Sequence, residues 1–322
     1  MRQRFEAYVT ATLFERSGRA AFALGDGTVR FETGETVQAH PEGAVLAAAV
    51  HPGGEGLITG GDDGRLVWSR AGEAPRELLS LAGRWIDAVA TSPASGLIAA
   101  AAGREAVVLD AGDAAFRRTF AHERAVADLT FDAKGRRLAC ATYGGAAIWF
   151  ARIETQKPTF LKWAGSHVAL RYSPDGRFLI TAMQENALHG WRVADAKDMR
   201  MGGYPAKPRS LAFLDSGALL ATSGANGVVV WPFAGAQGPM GREAAEIGHD
   251  EAALVTCVAA DPQGRAVAAG LDDGRIWSAR LDASGVRRLR NDKDSPISAM
   301  AMHSDRLAWG DEAGATGVDE LG

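Results

Sequence analysis

Short apolar segments and turn residues alternate along the whole chain. Apolar runs such as AVLAAAV (44–50) and AVADLTF (125–131) are each followed by a turn, a second apolar run, a second turn and a third run. Segments of this length, separated by Gly, Pro, Asp and Ser, predict antiparallel β-strands. No helical pattern recurs, and the one candidate, REAAEIGHDEAALV (242–255), is expected to be an inserted loop or a short helix.

The strand pattern occurs eight times. Its first turn is marked by Gly18, Gly56, Gly96, Gly135, Gly176, Gly217 and Gly264, with Asp305 in the equivalent last position. Successive markers are 38 to 41 residues apart, except for one step of 47 residues that coincides with the 242–255 segment. A weaker fourth segment, for example at 76–80 or 116–120, precedes each new repeat. Four strands in about 40 residues are the period of a β-propeller blade.

We therefore predict an all-β fold, a β-propeller of four-stranded antiparallel blades in which residues 1–322 form a single domain. Eight blades are favoured, because the sequence contains eight sets of the first three strands; seven blades, with one terminal repeat irregular, is the alternative. The fourth strand of the last repeat is expected to come from Met1–Tyr8. Its pairing with the C-terminal repeat would close the ring and protect both edge strands.

Three residue types recur at fixed places in the best repeats: a Thr that starts the second turn, an acid or amide within it, and a Trp that ends the third strand. They are Thr59, Asp63 and Trp68 in repeat two, Thr181, Glu185 and Trp191 in repeat five, and Thr222, Asn226 and Trp231 in repeat six. In these residues the chain resembles the WD-repeat β-propeller family, and specifically its bacterial type with degenerate repeats.

The resemblance implies a buried hydrogen-bond network inside a blade. In the family, the Ser/Thr, the turn Asp and the Trp share this network with a His that precedes the first strand. His40, His122 and His249 are in suitable places for that role. The Asp that follows the Trp in the family is absent here, and repeat four has Gly144-Gly145 where the turn acid is expected.

Composition and charge narrow the class of partner. The formal net charge is −4 and is spread along the chain, so the basic patch typical of nucleic-acid binders is absent and nucleic-acid binding is unlikely. No apolar run has the length of a membrane span. Cys140 and Cys257 lie in apolar segments and are expected in the core. We expect a cytoplasmic, monomeric protein that has no contact with membranes.

No catalytic motif is recognisable in the sequence. There is no G-x-S-x-G elbow, no phosphate-binding glycine loop, and no pair of histidines at helical ligand spacing. We therefore assign no catalytic, cofactor or metal residues and expect no cofactor. Acids from different blades could still converge at a central channel, and Asp87 and Asp128 on first strands are the candidates for such chemistry.

Two tryptophans do not follow the repeat pattern, and one of them, Trp85, lies in Arg84-Trp85-Ile86-Asp87 ahead of a first strand. Exposed Trp beside Arg is typical of binding hot spots. Equivalent loops carry further cationic or imidazole groups. The predicted partner-binding face consists of Arg84, Trp85, Arg124, His167 and Arg209.

The sequence favours a non-enzymatic scaffold that binds a protein or peptide on this face. Trp85 would supply apolar contact area, and the arginines would bind carboxylates or carbonyl groups through paired hydrogen bonds. The alternative is an enzyme, a hydrolase or lyase, that uses the central channel.

Overall fold

The computed structural model describes residues 2–282 and 285–321. Within these residues it contains thirty β-strands, beginning with β1 (Arg2–Arg4), and one short 3-10 helix, Asp215–Gly217. The all-β class is confirmed. The short helix considered for 242–255 was a wrong alternative: that segment contains a strand, Ala245–Ile247, between irregular stretches, as expected of an inserted loop.

The first compact unit of the chain is Ala7–Leu170. Its strands are β2 (Val9–Phe14), β3 (Ala20–Leu24), β4 (Thr28–Phe31), β5 (Thr36–Gln38), β6 (Val45–Val50), β7 (Leu57–Gly61), β8 (Arg65–Ser69), β9 (Arg76–Ser80), β10 (Ala88–Ser92), β11 (Leu97–Ala102), β12 (Glu105–Asp110), β13 (Asp113–Ala121), β14 (Val126–Phe131), β15 (Arg137–Phe150) and most of β16 (Thr159–Tyr172). Strands β2 to β13 form three antiparallel sheets of four strands, each in chain order.

The second compact unit consists of Met1–Glu6 and Arg171–Gly322. Its further strands are β17 (Phe178–Met183), β18 (Ala187–Arg192), β19 (Lys197–Met201), β20 (Leu211–Leu214), β21 (Leu219–Thr222), β22 (Val228–Pro232), β23 (Ala245–Ile247), β24 (Val255–Ala260), β25 (Ala266–Leu271), β26 (Ile276–Arg280), β27 (Arg287–Arg290), β28 (Ile297–His303), β29 (Arg306–Asp311) and β30 (Ala315–Glu320). Strands β20–β23 and β24–β27 form two more four-stranded sheets.

The N-terminal strand completes the C-terminal sheet. β1 pairs antiparallel with β30, Arg2 opposite Gly317 and Arg4 opposite Ala315, and the sheet order is β1-β30-β29-β28. The predicted closure by the first residues of the chain is therefore confirmed. The outer edge of β30, which would otherwise be free to pair with another chain, is covered.

The described residues form seven hydrogen-bonded sheets, six of four strands and one of six, β14 to β19. β15 pairs with β14 through residues 138–142 and with β16 through residues 143–148, so it contains the second and third strands of repeat four. All eight repeats thus form strands, but repeats four and five share one sheet. The number of separate sheets is seven, the number of the alternative, and the antiparallel propeller class is confirmed.

Two long strands account for the shared sheet. β16 (Thr159–Tyr172) continues from the fourth strand of repeat four into the first strand of repeat five, and β15 (Arg137–Phe150) runs without a break through Gly144-Gly145. Both residues have positive φ angles, 90° and 145°, and a Cβ at Gly145 would lie 2.0 Å from the carbonyl oxygen of Leu161. Glycine tolerates this backbone and this close approach. The chain therefore turns back at this point while remaining extended and paired, without the polar turn found in other repeats.

Small side chains let neighbouring sheets pack closely. All six residues of β11, LIAAAA, are buried, and the core around them includes Phe120, Leu129, Cys140 and Trp149. A strand buried on both faces favours Ala over larger residues where sheets approach each other, which explains the Ala-rich runs despite the low strand propensity of Ala.

Candidate functional site

The turns of the repeats place the predicted binding residues at one end of the sheets. Because neighbouring strands are antiparallel, the hairpin between the second and third strands lies at the same end as the segment that connects the fourth strand to the next repeat. In the first unit, Arg84 and Trp85 lie between β9 and β10, and Arg124 lies between β13 and β14. We call this end of the first unit the connection end.

Trp85 is the most exposed large hydrophobic residue among the described positions, with 65% of its surface accessible. Its neighbour Ile86 is fully buried and fixes the loop. Arg84 donates from Nη1 to Oε2 of Glu105 at 2.7 Å, across to the first residue of β12. A half-exposed pair of this kind contributes little to stability. Its effect is to hold the guanidinium of Arg84, the chain neighbour of Trp85, in one orientation.

His167 and Arg209 are placed differently from these three residues. His167 is only 1% exposed, and its Nε2 lies 3.1 Å from the carbonyl oxygen of Trp163. Its side chain points inward from β16 and supports the chain instead of facing a partner. Arg209 is exposed, but it belongs to the second unit, between β19 and β20, where its backbone N–H donates to Oγ of Ser223 at 3.1 Å.

A groove of about 530 Å³ lies beside Arg124 in the first unit. We call it the repeat-four groove; it is lined chiefly by His122, Arg124, Tyr143, Trp149, Phe160 and Lys162. Tyr143 and Phe160 are 63% and 49% exposed, values unusual for large aromatic side chains. This groove was not predicted from the sequence.

The floor of the repeat-four groove is rigid. The indole N–H of Trp149 donates to Nε2 of His122 at 3.0 Å, and Trp149 stacks on Phe120 with ring centroids 4.8 Å apart. Because Nε2 accepts this hydrogen bond, His122 is neutral with its proton on Nδ1. Desolvation by burial lowers the pKa of His122, which favours the same neutral form.

The buried network implied by the family resemblance is found in repeat two as a chain of three side chains. His40 Nδ1 donates to the Asp63 carboxylate at 3.0 Å, and His40 Nε2 accepts from the Thr59 hydroxyl at 2.9 Å. Trp68 is not part of it: its indole N–H donates to the carbonyl oxygen of Glu55 at 2.9 Å. Thr59 pairs with Val67, so Trp68, one residue further, lies on the opposite face of the sheet.

In repeat six the tryptophan does join the threonine, through a tyrosine. Tyr204 OH lies 2.7 Å from Thr222 Oγ1 and accepts the indole N–H of Trp231 at 2.7 Å. Asn226, instead of joining this chain, donates from Nδ2 to the carbonyl oxygen of Asp250 at 3.1 Å. Tyr204 occupies the place for which the sequence analysis sought a histidine.

Repeat five holds its threonine and tryptophan in the core. The Thr181 hydroxyl donates to the carbonyl oxygen of His189 at 3.0 Å, and Trp191 is buried with an edge contact to the His189 ring. Glu185 is exposed on the hairpin and lies outside the buried cluster. His249, the third candidate histidine, is also exposed and contacts Glu246 at 3.0 Å.

The acids considered for channel chemistry have different surroundings. Asp128 accepts backbone N–H groups of Leu129 and Leu170 at 2.8 and 2.9 Å, so its carboxylate orders the chain. Desolvation raises the pKa of Asp87 above its usual value.

Across residues 2–282 and 285–321, no group of three or more His, Cys, Asp or Glu could hold a metal ion. No helix in that part of the chain is long and apolar enough to cross a membrane.

Two segments of the sequence match the WD domain, G-beta repeat family, residues 32–68 and 242–278. Each match covers the fourth strand of one sheet and the first three strands of the next sheet. The first match also contains the His40–Asp63–Thr59 chain. The chain is a β-propeller that contains WD repeats.

Solved structures with the same fold share little sequence with this WD-repeat chain. The computationally designed Ika8 protein is 19% identical, with a TM-score of 0.80 over 99% of this chain and 98% of its own. The Cps50 (Swd1) β-propeller domain of Myceliophteria thermophila is 14% identical, with a TM-score of 0.67 over 86% and 97%. A chain of the mitotic checkpoint complex is 15% identical, with a TM-score of 0.67 over 99% and 95%. No curated protein matches the sequence.

Mild acid is expected to destabilise this WD-repeat protein through its buried histidines. Desolvation lowers the pKa values of His40, His51 and His122 in the folded state below the usual 6.5. The unfolded chain therefore takes up more protons as the pH falls through that value, and stability, complete above it, is lost. We expect the urea midpoint to fall between about pH 8 and pH 5.5.

This prediction is checked by equilibrium urea unfolding at several pH values in wild type and in His122→Gln. The variant should show a shallower fall than the wild type, because one titrating group is removed. An unchanged or rising midpoint on acidification would contradict the assignment of neutral, buried imidazoles.

Proposed function

We propose that this WD-repeat protein is a non-enzymatic scaffold that binds a protein or peptide at the connection end of its first unit. The observation that carries the proposal is Trp85, which exposes 65% of its surface and whose chain neighbour Arg84 has an oriented guanidinium. When a partner buries an exposed tryptophan ring, the complex gains a large apolar contact area, and tryptophan is therefore enriched at binding hot spots.

The three residues would divide the work of recognition. Trp85 would enter an apolar pocket of the partner as an anchor. Arg84 donates to Glu105 in the free protein. On binding, it would donate to a carboxylate or carbonyl group of the partner, in place of Glu105 or in addition to it. Arg124 is exposed and has no ion-pair partner among the described residues, so its guanidinium is available at no cost in broken contacts.

The family and the fold support a binding role. WD-repeat propellers are typically interaction scaffolds and are generally not enzymes. One of the similar chains belongs to the mitotic checkpoint complex, an assembly of proteins. Arg209 remains a predicted contact from the second unit, whereas the buried His167 would act by supporting the chain near Trp163.

The test removes the anchor and its cations together. The variant Arg84→Ala/Trp85→Ala/Arg124→Ala would be expressed in the native cell, cross-linked, purified and compared with wild type by quantitative mass spectrometry. We expect at least one reproducible partner to fall by about tenfold or more. Equal recovery of every partner would refute the proposed surface.

A matched control is available at the other end of the sheets. Arg117→Ala/Arg136→Ala/Phe150→Ala removes two exposed arginines and one exposed aromatic ring away from the connection end. This control should recover the same partners as wild type. If it lost them equally, general surface chemistry, and not the Trp85 face, would explain the binding.

A further inference from the structure

The aromatic walls of the repeat-four groove surround an open slot. Ala147 on β15 lies opposite Phe160 on β16. Because Ala147 is small, it leaves space beside the Phe160 ring. Trp149 forms the rigid floor, and Tyr143 stands at the hairpin tip next to Gly144. Stacked or edge contacts with these rings would hold a flat apolar side chain of a ligand.

Positive charge surrounds the slot. Lys162 follows Phe160 by two residues on β16, so both side chains lie on the same face of the strand. Arg124 faces the groove from the loop between β13 and β14. Both cations are exposed and neither has an ion-pair partner within residues 2–282 and 285–321, whereas Glu123 is the one acid of the lining.

Two related grooves, in repeats six and seven, lack this combination. In repeat six the groove contains Trp231 and Tyr204, but its arginine, Arg242, is held by the carbonyl oxygens of Ala234 and Gly238. The groove of repeat seven has the exposed Arg288 beside the paired Arg275 and Arg290, but its tryptophan, Trp277, is buried. Among these three grooves, only that of repeat four joins exposed aromatic rings to free cations.

We propose that the repeat-four groove binds an acidic peptide segment that carries an aromatic side chain. The ring would enter the slot over Trp149, and flanking Asp or Glu residues would pair with Arg124 and Lys162. The proposal rests on the scaffold function and names the chemistry of its partner. A nucleic acid fits less well, because the groove has two cations beside one acid and the chain has a net charge of −4.

An unbiased selection tests this preference. A phage-displayed library of random dodecapeptides would be selected on wild type, and the enriched sequences scored for charge and aromatic content. We expect acidic peptides with at least one Trp, Tyr or Phe. Basic or charge-neutral consensus sequences, or no enrichment at all, would overturn the proposal.

Variants connect the selected peptides to the groove. For a synthetic enriched peptide, fluorescence polarisation should show at least about tenfold weaker binding to Arg124→Glu/Lys162→Glu and to Phe160→Ala. The control Arg117→Glu/Lys197→Glu has the same change in net charge at exposed sites outside the groove and should bind like wild type. Equal binding to all variants would place the peptide elsewhere and refute the proposal.

Two further arms separate the possible failures. A single-stranded oligonucleotide pool that competes with the peptide at the groove would show that nucleic acid is the occupant and overturn the proposal. Arg84→Ala/Trp85→Ala should retain peptide binding. If cellular partners depend on the Trp85 face while the library shows no acidic aromatic preference, only the ligand assignment fails and the scaffold function stands.

Discussion

Replacing Asp311 with alanine is expected to lower the free energy of unfolding by about 3–5 kcal/mol. Asp311 is fully buried, and its Oδ2 accepts from Nη1 of the buried Arg290 at 3.2 Å. Its Oδ1 accepts the backbone N–H groups of Ala313 and Ala315 at 3.0 and 2.8 Å. The substitution would leave the buried guanidinium of Arg290 with only its longer contact to Asp294, 3.7 Å, and would leave two backbone N–H groups without their acceptor.

The loss is measured by equilibrium chemical denaturation, with Glu312→Ala as the control because Glu312 is the exposed neighbour. The control should change stability by less than about 0.5 kcal/mol. Arg290→Met/Asp311→Leu should recover part of the loss, since an apolar pair replaces the buried charge. A loss below about 1 kcal/mol in Asp311→Ala would show that this ion pair is not held in a dry environment.

Replacing Asp63 with alanine is expected to cost about 2–3 kcal/mol in the repeat-two network. The side chain accepts from Nδ1 of the fully buried His40 and from the backbone N–H of Arg65, both at 3.0 Å. Removing it leaves a buried imidazole N–H unsatisfied and loosens the hairpin between β7 and β8. Among His40, Thr59 and Asp63, we therefore expect the loss of Asp63 to lower the free energy of unfolding most.

A double-mutant cycle isolates the network from the general effect of the hairpin. Thr59→Val, Asp63→Ala and the double variant would be compared by chemical denaturation, with the exposed Glu42→Ala as the control. Because Thr59 and Asp63 act on the same imidazole, their effects should be non-additive by at least about 0.5 kcal/mol. Strict additivity would mean that the three side chains do not act as a unit.

The strands could be predicted because the repeat is strict. The fourth strand expected at 76–80 is β9 (Arg76–Ser80), and the pairing of the N-terminus with the last repeat was predicted from the absence of any other candidate. The sharing of one sheet by repeats four and five could not be predicted. It depends on β16 continuing as one strand through Gly165, where the repeat pattern alone indicates a connecting segment.

Side-chain direction explains most of the differences at the site. Thr222 pairs with Val229, so Trp231, two residues on, shares its face; in repeat two the tryptophan is one residue out of phase and does not. His167 was expected at the surface because its repeat position lies in a loop elsewhere, but here β16 continues through it. Tyr143 was missed although a signal existed: an aromatic residue occupies a hairpin tip next to Gly144-Gly145.

Site-specific photo-cross-linking in the native cell shows directly whether the connection end binds a partner. A benzophenone amino acid would be placed at Trp85 and at Tyr143, both at the connection end, and at Arg117 as the control. We predict discrete protein adducts from the first two positions and none of those adducts from the third. Adducts of equal yield from all three positions, or none from Trp85 and Tyr143, would contradict the claim that this end of the propeller binds a partner.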